Sequence, residues 1–109
     1  MSTNKYDRNT YNSKGFAYIY DVKDYEKKVI KKRISNTEAV IAHHSLRKGT
    51  LIKIINPMSG KSVTLKNKYN LDYPNFYNIL INDLVAKKLD LNLDVPYVEI
   101  EEIRKNKSF

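Results

Sequence analysis

The chain has 109 residues, 41% of them hydrophobic, with a formal charge of +8 and a pI near 9.6. That length and apolar content specify one domain with a modest core and exclude a wholly disordered chain. The absence of cysteine excludes disulfide frameworks, thiolate catalysis and cysteine zinc sites, and no run of about 18 apolar residues could form a membrane-spanning helix.

Residues 1 to 14 are polar, lack an apolar period and are expected to be a disordered leader. They contain no apolar segment of a signal peptide, so if the protein is exported its signal lies outside this sequence. Gly15 opens FAYIYDV, where Phe16, Tyr18 and Tyr20 alternate with Ala17 and Ile19. Apolar mass on both faces predicts a strand buried on both sides or closed into a barrel. The stretch 24–38 is strongly basic and predicts a surface excursion, partly helical around Tyr25, Val29 and Ile30, ending in the turn cluster SNTE. AVIAHH, residues 39 to 44, predicts a short strand with Val40 and Ala42 on one face and Ile41 and His43 on the other.

SLRKG then turns, with Gly49 able to supply a positive φ. TLIKIIN and KSVTLKNK flank the tight turn PMSG, and together they form the best hairpin in the sequence. The Tyr- and Asn-rich stretch 69–78 reads as an irregular loop, and ILIN as a further strand. Asn82 or Asp83 is placed to cap a short helix over 83–91, with Leu84, Val85 and Leu89 on its apolar face. VPYVEIEEI closes the domain, its Val98, Ile100 and Ile103 set against Glu99, Glu101 and Glu102, and RKNKSF reads as a tail or the start of a linker. The order predicts a mainly β chain: a small closed barrel of about six strands with one or two short helices, over residues 15–104, with 105–109 as tail.

Several side chains invite a chemical reading. His43 and His44 are the sequence's two histidines. As neighbours on a strand they point to opposite faces and lack a third ligand, so no metal site is expected. Tyr69, Tyr73, Phe76 and Tyr77 stand in a loop where aromatic rings either stack on sugars or bases or pack down as a lid. The dense cations Lys27, Lys28, Lys31, Lys32 and Arg33 suit an acidic polymer or, more commonly, a solvated face, and nothing around them resembles a nucleic-acid recognition helix. Glu99 and Glu101 share a face at period two, which fits a paired acid and base but fits the solvent face of an edge strand better.

One segment also carries a family pattern. In IAHHSLRKGTLIKIINPMSGKSVTL, the residues Ala42, His43, Leu46, Gly49, Thr50, Ile52, Ile54, Asn56, Gly60, Lys61, Ser62 and Val63 fall without a gap on a motif of rare lipoprotein A, the septal lytic transglycosylase family. ILINDLVAKKLDL and VPYVEIEEI are similar to that family's late helix and last strand, so the resemblance covers about residues 15 to 103. It implies a six-stranded double-psi β-barrel in the bacterial cell envelope or periplasm, acting on peptidoglycan. The family's activity is cleavage of glycan strands, in which a carboxylate must protonate the leaving oxygen. Counted without a gap, however, the family's Asp position holds Tyr69, and its upstream Glu falls near Lys31 and at Lys32. Neither a Lys nor a Tyr of ordinary pKa is an effective general acid at neutral pH.

The resemblance therefore implies a wall-associated, catalytically degenerate barrel. It would act in glycan binding or septal and wall organisation through a groove of His43, Lys68, Tyr69 and Tyr73. An active lytic transglycosylase using His43 with the displaced carboxylates Asp72 or Glu38 is the alternative, and a basic nucleic-acid-binding barrel is the second. The expected partners are peptidoglycan glycan strands or envelope proteins, with the chain a monomer and no cofactor required.

Overall fold

A computed structural model describes residues 10 to 104. Six strands form one closed barrel in the order β1-β5-β2-β4-β3-β6. They are β1 (Asn12–Ile19), β2 (Ile41–Ala42), β3 (Leu51–Ile55), β4 (Ser62–Tyr69), β5 (Ile79–Ile81) and β6 (Tyr97–Ile103), with helices α1 (Val22–Glu26) and α2 (Asp83–Lys88) between them. The expected mainly β barrel with two short helices is what the chain adopts. β1 runs parallel to β5 and β2 parallel to β4, whereas every other neighbouring pair is antiparallel.

Strand alternation explains the core. Ala17, Ile41, Ile52, Ile54, Ile79, Ile81, Val98 and Ile100 gather into one buried cluster, which α2 joins through Val85, Ala86 and Leu89. A second cluster of Tyr20, Ile30, Ile34, Val40, Ala42, Tyr73 and Leu80 lies on the other side of β2 and β5. These two strands are buried on both faces, which is why VIA and ILI are unbroken apolar runs. The cover over their outer face comes from the basic excursion, whose Ile30 and Ile34 point inward while Lys27, Lys28, Lys31, Lys32 and Arg33 stay exposed. The charge run is thus the wet side of a segment held by two isoleucines.

Several boundaries differ from the expectation. β1 begins at Asn12, and Tyr11 already packs against the core, so residues 10 to 14 belong to the fold and not to a leader. The rest of that leader, residues 1 to 9, and the tail 105–109 lie outside the described residues. The excursion is helical only over Val22–Glu26, where Asp21 and Asp24 form a reciprocal capping box; Tyr25 and Val29, expected on an apolar face, are exposed. β6 is not an edge strand, because β1 and β3 flank it. On its outer face Glu99 stands opposite Lys14 in register, and Glu101 opposite Lys53, so opposite charges face one another across the strands. No helix is long and apolar enough to cross a membrane among the described residues.

Three buried asparagines tie the connections to the barrel. Asn56 Nδ2 donates to the carbonyls of Leu89 and Asp90 at the end of α2, at 2.9 and 3.2 Å. Asn82 does more. Its Oδ1 caps α2 through the Val85 N–H and also accepts from Val40 N, while its Nδ2 donates to the Ser35 and Glu38 carbonyls. One side chain thereby satisfies four backbone groups, three in the α1–β2 connection and one on α2. Asn82→Ala leaves those groups unpaired in a dry site and is expected to destabilise the protein by about 2–4 kcal/mol. Urea unfolding measures this, and a loss below about 1 kcal/mol would show that water replaces the asparagine.

Candidate functional site

The segment His43–Thr50 follows directly on β2 and turns back into β3. The strand stops at Ala42, so the two histidines do not alternate as neighbours on a strand would; their rings stack, with centroids 4.9 Å apart. His43 is fully buried. Its Nδ1 accepts the backbone N–H groups of Ser45 and Leu46, both at 3.1 Å, with the Ser45 hydroxyl at 3.3 Å. Two N–H groups aimed at Nδ1 require a lone pair there, so the neutral ring carries its proton on Nε2. Nε2 is itself buried without a hydrogen-bond partner, and the Tyr11 ring meets the imidazole edge to face, with centroids 5.1 Å apart. Burial, with the adjacent His44 adding to it, lowers the His43 pKa to about 4. His43 is therefore a neutral acceptor inside a turn at physiological pH, and its Nδ1 is unavailable to a metal. No group of three or more His, Cys, Asp or Glu side chains suited to a metal occurs among the described residues.

Asn67 completes the turn. It stands on β4 in phase with the inward Val63 and Leu65, and it is fully buried. Its Oδ1 accepts the His43 N–H at 2.8 Å, and its Nδ2 donates to the Leu46 and Arg47 carbonyls at 2.9 and 3.2 Å. Its backbone also exchanges bonds with Gly49 and Thr50. Gly49 has φ +92, and a Cβ there would meet no atom within 4 Å; the glycine is needed for its backbone angle, not for space. Asn67 escaped the sequence reading, although a polar residue in phase with Val63 and Leu65 was the available signal.

The other candidates separate into three places. Glu38, Lys68, Tyr69 and Lys32 come together. Lys68 Nζ makes a short ion pair with Glu38, and this bond raises the ammonium above its usual pKa. Lys32 Nζ lies 4.7 Å from the centre of the Tyr69 ring, and Lys68 Nζ 5.9 Å from it. Lys32 and Tyr69, which the resemblance aligns with the family's Glu and Asp, are thus in contact. The Tyr69 carbonyl accepts from His43 N at 3.3 Å, so this cluster and the histidine turn share a backbone seam.

Tyr73 is the second place. It is buried under His44, with rings 5.0 Å apart, its hydroxyl receives the His44 N–H, and burial raises its pKa. Neither Tyr73 nor His43 presents a side chain to solvent, which removes both from the open groove expected for them. Asp72 is exposed and takes no part in the Glu38 cluster's bonds. Phe76 and Tyr77 form the third place on β1, Phe76 stacked on Phe16 and Tyr77 edge to face with Tyr18.

Glu102 was expected with the solvent-facing glutamates but shares the phase of Val98 and Ile100. Its Oε1 accepts the Tyr11 N–H at 3.0 Å, and Oε2 lies 3.5 Å from Arg104 Nε. It lines a cleft of about 1040 Å³ walled also by Tyr11, Arg47, Lys66 and Arg104. A smaller cleft of about 460 Å³ is lined by Glu38, Lys48, Lys66 and Lys68. Compared with known proteins, the chain matches no protein-family model and no curated protein.

The His43 geometry has a pH signature. Its folded pKa, about 4, lies below the ordinary 6.5, so the neutral ring contributes stability fully above pH 6.5, and that contribution is lost as the pH falls toward 4. The shift corresponds to roughly 3 kcal/mol at most. His43→Asn keeps an acceptor for the same N–H groups but does not titrate. Between pH 7.5 and pH 4 the parent protein is expected to lose about 2–3 kcal/mol more stability than the variant. Equal losses in urea titrations of the two would show that His43 is not held neutral by the fold.

Proposed function

We propose that this protein is an envelope-associated barrel of the rare lipoprotein A type, built on the double-psi plan and catalytically degenerate, which binds peptidoglycan glycan in septal or wall organisation. The two parallel strand pairs, β1 with β5 and β2 with β4, support the double-psi plan. The observation that carries the loss of catalysis is the contact of Lys32 with Tyr69, at the positions where the family pattern calls for the acid residues. A cation over a phenol ring supplies no carboxylic proton for a glycosidic oxygen. Glu38, the carboxylate that joins this cluster, is paired with Lys68. The surface that remains, Lys32, Tyr69, Lys68 and Glu38, offers cations, a hydroxyl and a carboxylate to sugar hydroxyls.

An active lytic transglycosylase is the second reading, and Glu38 is the observation that favours it, because this carboxylate lines an open cleft beside Lys68. Incubation of the protein with purified sacculi separates the two. The degenerate reading expects co-sedimentation with sacculi and no soluble anhydro-muropeptides. Release of such products, abolished by Glu38→Gln, would establish the second reading instead. A nucleic-acid-binding barrel would bind unrelated DNA with an affinity falling steeply from 50 to 200 mM salt, as phosphate contacts release counterions.

A further inference from the structure

β1 outruns the strand beside it. β6 begins at Tyr97, opposite Phe16, whereas β1 continues to Ile19 against β5. Successive residues of a strand turn their backbone groups to opposite edges. Phe16 and Tyr20 bond toward β5, through the Asn78 N–H and the Ile81 carbonyl. Ala17 and Ile19 therefore face the other edge, where Ala17 N donates to the Pro96 carbonyl at 2.9 Å. Proline has no N–H to return, so β6 offers no partner to the Ala17 carbonyl or to the Ile19 N–H. The turn before β6 spends its donors on itself. Asp94 N binds Asn92 Oδ1, Val95 N the Asn92 carbonyl and Tyr97 N the Val95 carbonyl. An edge of this kind is a template for another extended chain.

The edge lies in a hollow of about 410 Å³ with aromatic and aliphatic walls. Phe76, 70% exposed, stacks on Phe16, and Leu93, 58% exposed, stands on the same lining. Large apolar side chains left this open mark an interaction surface. The charged lining residue is Asp94. Ile19 and Leu93 also line a second hollow of about 600 Å³, which carries Asp21 and Asp83 against one cation, Arg33. Asp83 is paired with Lys87, whereas Asp21 and Asp94 form no ion pair among the described residues. Burial and then a bond to Asp24 raise the Tyr18 pKa, so a further carboxylate stands beside the first hollow. This acidic stretch belongs to a chain of net charge +8. Carboxylates and open aromatic faces attract cationic side chains, and an unpaired edge takes extended backbone. An anionic membrane surface would be repelled by the same carboxylates. We infer that the open edge of β1 at residues 17 to 19, with Phe76 and Asp94 beside it, docks an extended segment of a partner protein in which apolar and basic residues alternate. The segment adds as a short strand where β6 stops. The surface is at the opposite end of β1 from Tyr11 and His43 and does not rest on the glycan-binding reading.

Fluorescence anisotropy with three labelled octapeptides tests this. One alternates valine with lysine, one alternates valine with glutamate, and the third is the lysine form with every amide N-methylated. The parent protein is expected to bind the first at least tenfold more tightly than either of the others at low salt. F76A/D94N is expected to lose at least tenfold on the lysine peptide. D94N alone should lose at least threefold, and it keeps the test valid if the double variant impairs folding. M58K makes the same change in net charge on the exposed β3–β4 turn, lines neither hollow, and should stay within twofold of the parent. Equal affinity for the lysine and glutamate peptides overturns the basic occupant, and equal affinity for the N-methylated form overturns strand addition. Parent-like binding by F76A/D94N, or no binding of any peptide by the parent, overturns the site. Dimerisation of the parent that F76A/D94N abolishes makes a second copy the occupant and overturns the choice of a different partner.

Discussion

A chain segment that turns back over a barrel end must pair its backbone groups without help from bulk water. Here two side chains meet that constraint. Asn67 takes up the His43 N–H and the Leu46 and Arg47 carbonyls, and His43 Nδ1 takes up the Ser45 and Leu46 N–H groups. Much else depends on that arrangement. It carries the chain from β2 into β3 and sets Gly49 at the junction of the two clefts. It also directs Arg47 and Lys48 outward to the rims on either side. The neutral imidazole follows from the same bonds, because a protonated Nδ1 would repel the N–H groups it now accepts.

The residues that carry the family pattern acquire a physical reading from this geometry. His43, Gly49 and Asn56 serve backbone satisfaction or a left-handed backbone angle, and Ile52 and Ile54 fill the barrel. These are requirements of the fold, and a barrel with any function would keep them. Lys32 and Tyr69, which the resemblance aligns with the family's Glu and Asp, are in mutual contact. The part of the sequence with the most specific pattern describes the turn and hairpin.

Much of the fold was legible because it rests on local periodicity. The β3–β4 hairpin alternates cleanly and is bounded by Pro57 and Gly60, and Asn82 before an apolar face marks the start of α2. β2 was harder. Only Ile41 and Ala42 pair, since the histidine turn begins at once, and that early stop depends on Asn67, 24 residues from His43. The long reach of such a bond leaves no mark in a local window. The same holds at the end of β6, beside that turn. Glu102 looks like its outward neighbours in sequence, yet strand phase and the Tyr11 N–H turn it toward the cleft. The candidate groove was only half legible. The cluster of Glu38, Lys68 and Tyr69 does assemble, whereas Tyr73 joins the apolar layer that covers β2 and β5, and His43 is held inward by its bonds to the turn.

The most direct measurement is of the His43 ring itself. Long-range nitrogen–proton NMR correlations report which ring nitrogen carries the proton, and a pH titration reports when the second proton binds. The account requires a neutral His43 with its proton on Nε2, remaining so until the pH approaches about 4. A proton on Nδ1, or titration near the ordinary value of about 6.5, would mean that the ring is not the acceptor that holds the turn. It would also return His43 to consideration as a group that exchanges protons with a ligand.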